Sequence, residues 1–264
     1  MLQNLRQLFR YRALVQSLVA RELTARYRGS ILGFFWSFIN PLLLLLIYTF
    51  VFSQVMPVAR TAGIDHFSVF LFCGILPWTW FSSSLIESSS ALITGGNLIR
   101  KVLFPAEVLP LVTVFAGLVH FCLGLLILAA FVVYEGVPVT PLDLLWLPLV
   151  MAVQWTLTAG LALFLSAVTV HFRDIRDLLT NVLTLWFFAT PIIYPLANAS
   201  PGARRLLDLN PFTHLAVAYQ EVLYVPGPFR PGDKFLVLIV VSVLVLMAGY
   251  FVFDRLRDTL AEEV

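Results

Sequence analysis

Charge is scarce in this 264-residue chain. Asp, Glu, Lys and Arg make up 12% of it, about half the share usual in a soluble domain, and that scarcity excludes an ordinary water-facing globule. Cysteine is nearly missing. Cys73 and Cys122 fall within apolar runs with no CxxC or Cys/His cluster, which excludes zinc sites and a disulfide framework; both read as small buried apolar residues. No GxxxxGK[ST] occurs, so the chain does not cradle nucleotide phosphates by that device. The short alternating segments of a transmembrane barrel are absent too. A net charge of +2 offers nothing resembling a nucleic-acid patch. No cleavable leader is expected, since about thirty polar-rich residues precede the first apolar run and no A-x-A site ends it.

What the chain has in abundance is apolar surface, with 60% hydrophobic residues. Runs long enough to cross a bilayer, about 20 residues each, recur near 32–56, 67–93, 108–134, 142–170, 178–197 and 235–253. The reading is an integral membrane protein, all-α, with six transmembrane helices in a single transmembrane domain covering 1–264. The longer runs must tilt, kink or protrude, and Pro77, Pro148 and Gly160 suggest where. No internal repeat or second domain is visible. Loops 1–31, 94–107, 171–177 and 254–264 carry twelve of the seventeen Lys and Arg, which places both termini in the cytosol.

Residues 1–31 read as an amphipathic helix on the inner membrane surface. Leu2, Leu5, Phe9, Leu14, Val15, Leu18 and Val19 recur at helical spacing, and Arg6, Arg10, Arg12, Arg21, Arg26 and Arg28 form the basic side. Glu22 and Arg26 stand at i,i+4 in the favourable order. Attraction to anionic lipid explains such a helix; so does a lever that couples a cytosolic partner to the first span. In that span Phe34, Phe38, Pro41, Leu45, Tyr48 and Phe52 share one face, as helix packing, lipid contact or a substrate track would require. Asn40-Pro41 is tolerable where neighbours or a wet cavity satisfy it.

The second span holds Pro77, a predicted kink, and an unusually polar inner half with Glu87. A lone carboxylate at mid-membrane costs about 2.5–3.5 kcal/mol on insertion scales, so Glu87 lies near the inner surface, bonds a neighbouring helix or is protonated. His120, in the third span, reads as a hydrogen-bonding partner of an adjacent helix, with no second metal ligand at hand. In the fourth, Ala159-Gly160 permits close helix approach. Gly95-Gly96 and Pro105 bound a short amphipathic segment between spans two and three, either a docking knob or an ordinary loop.

One stretch, 171–195, opens with a charged turn and ends in Trp186, Phe187, Phe188, Thr190, Pro191, Tyr194 and Pro195, a richness in rings and prolines beyond what lipid anchoring needs. In the long outer loop 198–234, Ser200-Pro201 and Asn210-Pro211 each match an N-cap followed by proline at the first helical position. Two short helices are expected there. The second carries Phe212, Leu215, Tyr219 and Val222 on one side and is placed to cover a pore.

RELTARYRGSILGFFWSFINPLL, GILPWTWF, NLIRKVLFPAEVLPL, HFRDIRDLL with FFATPIIYP, and LNPFTHL together resemble the permease subunit of ABC-2-type polysaccharide exporters. Such subunits move lipid-linked O antigen, capsule or teichoic acid polymers out of bacteria. The resemblance implies a homodimer in the bacterial inner membrane with two copies of a cytosolic ABC ATPase, which binds ATP and Mg; no cofactor and no catalytic or metal site is implied in this chain. It implies ATPase-coupling roles for Arg21, Glu22, Arg26, Asn97, Arg100, Lys101, Phe104, Pro105 and Glu107. It gives the outer-loop helices, with Asn210, Pro211, His214 and Tyr219, the role of an outer gate. Spans one and five would line the conduit, through Phe34, Phe38, Tyr48, Phe52, Trp186, Phe187 and Tyr194. Sugars stack C–H faces on rings, and many weak contacts let a polymer slide. The chain departs from the family pattern at Ala106 and Gln220, often basic elsewhere.

O antigen is the expected cargo, in lipopolysaccharide assembly, with capsule and teichoic acid as alternatives in the same family. A membrane-embedded transferase on lipid-linked sugar would need an acid pair or a His/Asp constellation, and only His171, Asp174 and Asp177 approach one; Asp174 reads better as a cap or an Arg partner. An ion-coupled carrier would need paired broken helices and more buried charge than Glu87 and His120 provide.

Overall fold

A computed structural model describes residues 12–26, 29–51, 55, 64–96, 105–172, 174–225 and 227–263. Every regular element among them is helical: α1 (Arg12–Arg26), α2 (Trp36–Phe50), α3 (Phe67–Thr94), α4 (Val108–Glu135), α5 (Leu147–His171), α6 (Ile175–Phe188), α7 (Pro201–Leu207), α8 (Pro211–Leu223) and α9 (Asp233–Glu263). Four are long and apolar enough to cross a membrane, namely α3, α4, α5 with the 3-10 turn before it, and α9; α2 is apolar but shorter.

The innermost helix is α3. Its serines and glycine leave room for neighbours, while its rings fill the space between them. Ser88 and Ser89 return their hydroxyls to the carbonyls of Leu85 and Ile86, at 3.0 and 2.7 Å, so the polar half is satisfied within its own helix. The helix runs unbroken through Pro77, whose carbonyl accepts from Gln154 Nε2 of α5 at 2.8 Å. Trp80 Nε1 donates to Val114 of α4 at 3.1 Å. Bonds of this kind fix α3 against α4 and α5 where apolar contact gives no preference over lipid.

Helices α5 and α9 meet backbone to backbone. A Cβ added at Gly249 would lie 2.0 Å from the Gly160 carbonyl oxygen, and one added at Gly160 would lie 2.6 Å from the Leu246 backbone. The small pair Ala159-Gly160 therefore does what its size suggests. The outward face of α9, with Leu236, Val240, Leu244, Met247 and Phe251, stays exposed as a lipid-facing surface.

Three expectations change. The fifth apolar run stops being helical at Phe188, because Pro191 has no N–H and disfavours helix before it. Fourteen residues make about 21 Å of helix, short of the ~30 Å hydrocarbon core. Cys73 is buried, but Cys122 is exposed, since α4 is covered on one side only. Asp174 sits at the N-cap of α6 without a side-chain capping bond.

Replacing Gly249 with Val should force α5 and α9 apart, at a cost of about 1–3 kcal/mol for an overpacked contact. Thermal unfolding of the detergent-purified protein should show a lowered midpoint. An unchanged midpoint would mean that the two backbones do not touch.

Candidate functional site

At the end of α6 the chain leaves the helix and doubles back through Thr190, Pro191 and Ile192, all fully buried. Asn210, the N-cap of α8, holds that break. Its Oδ1 accepts from Trp186 Nε1 at 2.8 Å and from the Phe212 amide at 3.0 Å. Its Nδ2 donates to the Ala189 carbonyl at 3.0 Å and to Thr190 Oγ1 at 2.9 Å. Gln220 Nε2, one helix face further on, donates to the Pro191 carbonyl at 3.0 Å. A residue expected in the conduit, Trp186, and one expected in the gate, Asn210, are thus one bonded unit.

Rings reinforce the junction. Phe212 lies 4.9 Å from Trp78 and 4.7 Å from Phe81, centroid to centroid, and Trp186 lies 5.3 Å from Phe81. Phe187 lies 5.7 Å from Trp78. Such pairs contribute about 0.5–1.5 kcal/mol each beyond burial. Trp186 and Phe187 are half-buried in this cluster rather than fully free, and Tyr194 donates to the Phe188 carbonyl at 3.2 Å. Trp78 and Phe81, not among the predicted site residues, are the partners that orient them.

The other face of α6 is open. Leu178, Val182, Leu185 and Phe188 are exposed, and so are Thr180, Asn181 and Thr184 beside them. On α2 the predicted stripe turns inward: Leu45 is buried, Tyr48 packs against the core, and Phe38 and Pro41 are half-buried. Its exposed face carries Leu42, Leu43, Leu46, Ile47 and Phe50 instead. Phe52 and the side chain of Phe34 lie outside the described residues.

Around the inner half of α3, α1 packs Leu14, Val15, Leu18 and Val19 onto Val108 and Val112 of α4, so its apolar stripe docks on protein. Arg26 bonds Glu87 of α3 in an ion pair, not its helix neighbour Glu22. Among the described residues no other cation pairs with Glu87, and a partly buried pair is stronger than one on a fully wet helix face. Arg21 is exposed and Glu22 half-buried. Pro105 is half-buried, and Glu107 is buried at the N-cap of α4 without a capping bond. Asn97, Arg100, Lys101 and Phe104 lie outside the described residues.

Between α6 and α9, both proline-marked helices begin where their caps predict; Ser200 accepts from Ala203 and Asn210 from Phe212. The apolar side of α8 is sunk into the bundle: Phe212, Leu215 and Tyr219 are fully buried, with Tyr219 edge-on to Phe121 of α4 at 5.6 Å. Pro211 and His214 are half-buried, and His214 Nε2 lies 2.8 Å from the Asp208 carbonyl oxygen. Lys234 bonds Asp208 at 2.8 Å, tying α7 to the start of α9; that bond holds the Asp208 carboxyl below its usual range.

A bundle of apolar helices, four of them long enough to cross a bilayer, defines a multi-pass membrane protein. Residues 13–224 match the ABC-2 type transporter family, and the chain belongs to it. It is 40% identical, over the full length of both chains, to the O-antigen export system permease protein RfbA of Myxococcus xanthus. A Klebsiella pneumoniae RfbA is 30% identical over 92% of this chain and 91% of its own. The polysialic acid transport protein KpsM of Escherichia coli is 25% identical over 89% of this chain and 90% of its own. This membership makes the chain a transport subunit rather than an enzyme.

Asn210→Ala removes at once the acceptor of Trp186 Nε1 and the Phe212 amide and the donor to the Ala189 carbonyl and Thr190 Oγ1. We expect about 1–3 kcal/mol of lost stability. Faster amide exchange at 189–192 should accompany it. Unchanged exchange in Asn210→Ala would remove the side chain from that role.

Proposed function

We propose that the chain is the membrane-spanning subunit of an ATP-driven exporter that carries a lipid-linked polysaccharide, O antigen in the first instance, across the bacterial inner membrane. In this reading two copies pair, both termini face the cytosol, and two cytosolic ATPase subunits bind ATP and Mg. The six predicted spans cross, with α2 and α6 completed as spans by the segments that flank them. Polysialic acid is the cargo named for the KpsM relative, and the same architecture would serve such a polymer.

The observation that carries the proposal is the open face of α6. Thr180, Asn181 and Thr184 stand exposed among Leu178, Val182, Leu185 and Phe188. Facing lipid, an Asn amide finds no partner; facing a wet passage, its polar groups meet water and glycan hydroxyls while the apolar neighbours meet sugar C–H faces. A second copy supplies the opposite wall.

ATP acts through contacts that differ between its bound and released states. The coupling surface is α1 with the 95–107 loop, because Arg26 and the Val108–Val112 start of α4 join them to α3 and α4. Disrupting the gene should leave finished glycolipid on the cytosolic face; normal surface display in the disrupted strain would overturn the proposal. In the assembled transporter, Phe104→Ala/Pro105→Ala should keep ATP turnover while export falls. Export at the unaltered rate would take the loop out of the mechanism.

A further inference from the structure

A cavity of about 250 Å³ opens between α2, α3 and α4, on the far side of α3 from the glycan-facing helix, and none of its lining residues comes from α6. Its two ends differ. One is polar, with Arg26, Trp36, Asn40 and Ser83; the other, deeper along α2 and α3, is apolar, with Leu44, Phe72 and Leu76. From Ser83 to Phe72 is eleven residues of helix, about 16 Å.

A hole of this size holds about eight waters at ~30 Å³ each. Water at the Leu44–Phe72 end would find no hydrogen-bond partners, while Arg26 and Asn40 at the other end are exposed and take a polar group readily. An amphiphile with an anionic head satisfies both. The guanidinium of Arg26 has five N–H donors, and Glu87 engages one edge of it. The remaining donors suit a phosphate, which accepts from Arg in forked geometry. The hydroxyl of Ser83 donates to the Trp80 carbonyl at 3.3 Å and is satisfied within its own helix.

We propose that this cavity is a lipid site, taking the anionic phosphate head of a single lipid at Arg26 and the first part of its chain along Leu44, Phe72 and Leu76. The phosphate shares Arg26 with Glu87, so occupancy bears on the ion pair that joins α1 to α3. Two sources carry this chemistry: a bulk anionic phospholipid, and the phosphate-bearing carrier lipid of the cargo. The site rests on the reading above in one respect, that Arg26 lies at the cytosolic headgroup layer.

The test uses full-length permease with its ATPase, reconstituted in phosphatidylcholine nanodiscs doped with either phosphatidylglycerol or a polyprenyl phosphate. Native mass spectrometry after release reads the lipid retained. The doped anionic lipid should be kept in preference to phosphatidylcholine, and whichever dopant is kept more strongly identifies the source. Arg26→Gln should lower retention about tenfold or more, the loss expected for a charge-assisted bond. Ser83→Leu, which fills the cavity and leaves the ion pair intact, should lower it as well; Arg205→Gln on the outer loop should not. Equal retention of phosphatidylcholine, or undiminished retention in a folded Ser83→Leu protein, overturns the site whether or not Arg26→Gln folds. Surface display of polymer is scored separately, so a permease that keeps the lipid yet exports no glycan counts against the exporter reading and not against the cavity.

Discussion

A backbone that leaves the helix inside a membrane must find its hydrogen bonds in protein, because lipid offers none. The break after Phe188 sets that demand, and the rest of the outer half is arranged to meet it. Asn210 takes on the Ala189 carbonyl and Trp186, and Gln220 takes on the Pro191 carbonyl. Both come from α8 or its cap, so α8 has to lie deep in the bundle. Gly74 of α3 permits the approach: a Cβ there would stand 3.3 Å from the Ile192 backbone. A helix that reads as a surface cover is, for this reason, a structural member with Tyr219 at its base.

Two halves of different character follow. Helices α3, α4, α5, α8 and α9 are locked by bonds whose geometry lipid cannot imitate, including Gln154 to Pro77 and the glycine contact of α5 with α9. Helices α2 and α6 attach along one side each and leave the other uncovered. Rigid-body movement is cheapest where few directed bonds must break, so α2 and the N-terminal part of α6 are the elements held least tightly. The aromatic cluster around Trp78 then serves as the fixed end about which α6 is held.

Much of this was legible in the chain. Ser200-Pro201 and Asn210-Pro211 start helices because an Asn or Ser oxygen and a proline suit the first turn, whatever the tertiary context. Ala159-Gly160 signals a close contact by size alone. Other features were not. Hydropathy adds up side chains and ignores backbone, so the fifth apolar run reads as a full span although Pro191 and Pro195 interrupt it. The choice of Arg26 for Glu87 over Glu22 depends on a neighbour 61 positions away; the cost of a lone carboxylate demands a partner without naming it. Periodicity puts the α2 stripe on one face but does not say whether that face meets core or conduit; of its described members, Leu45 and Tyr48 meet core.

The ion pair and the ring cluster that holds the break both sit on α3, nine residues apart, and this bears on how force travels. Arg26–Glu87 ties the first helix to the inner part of α3, while Trp78 and Phe81 on the same helix grip Trp186 and Phe212. From Glu87 to Trp78 is nine residues, about 14 Å of continuous helix. A displacement of α1 therefore reaches the α6 junction through one rigid rod rather than through a chain of loops. Coupling needs only that the rod have two seats, and the partly open wall along α2 is where the second seat has room.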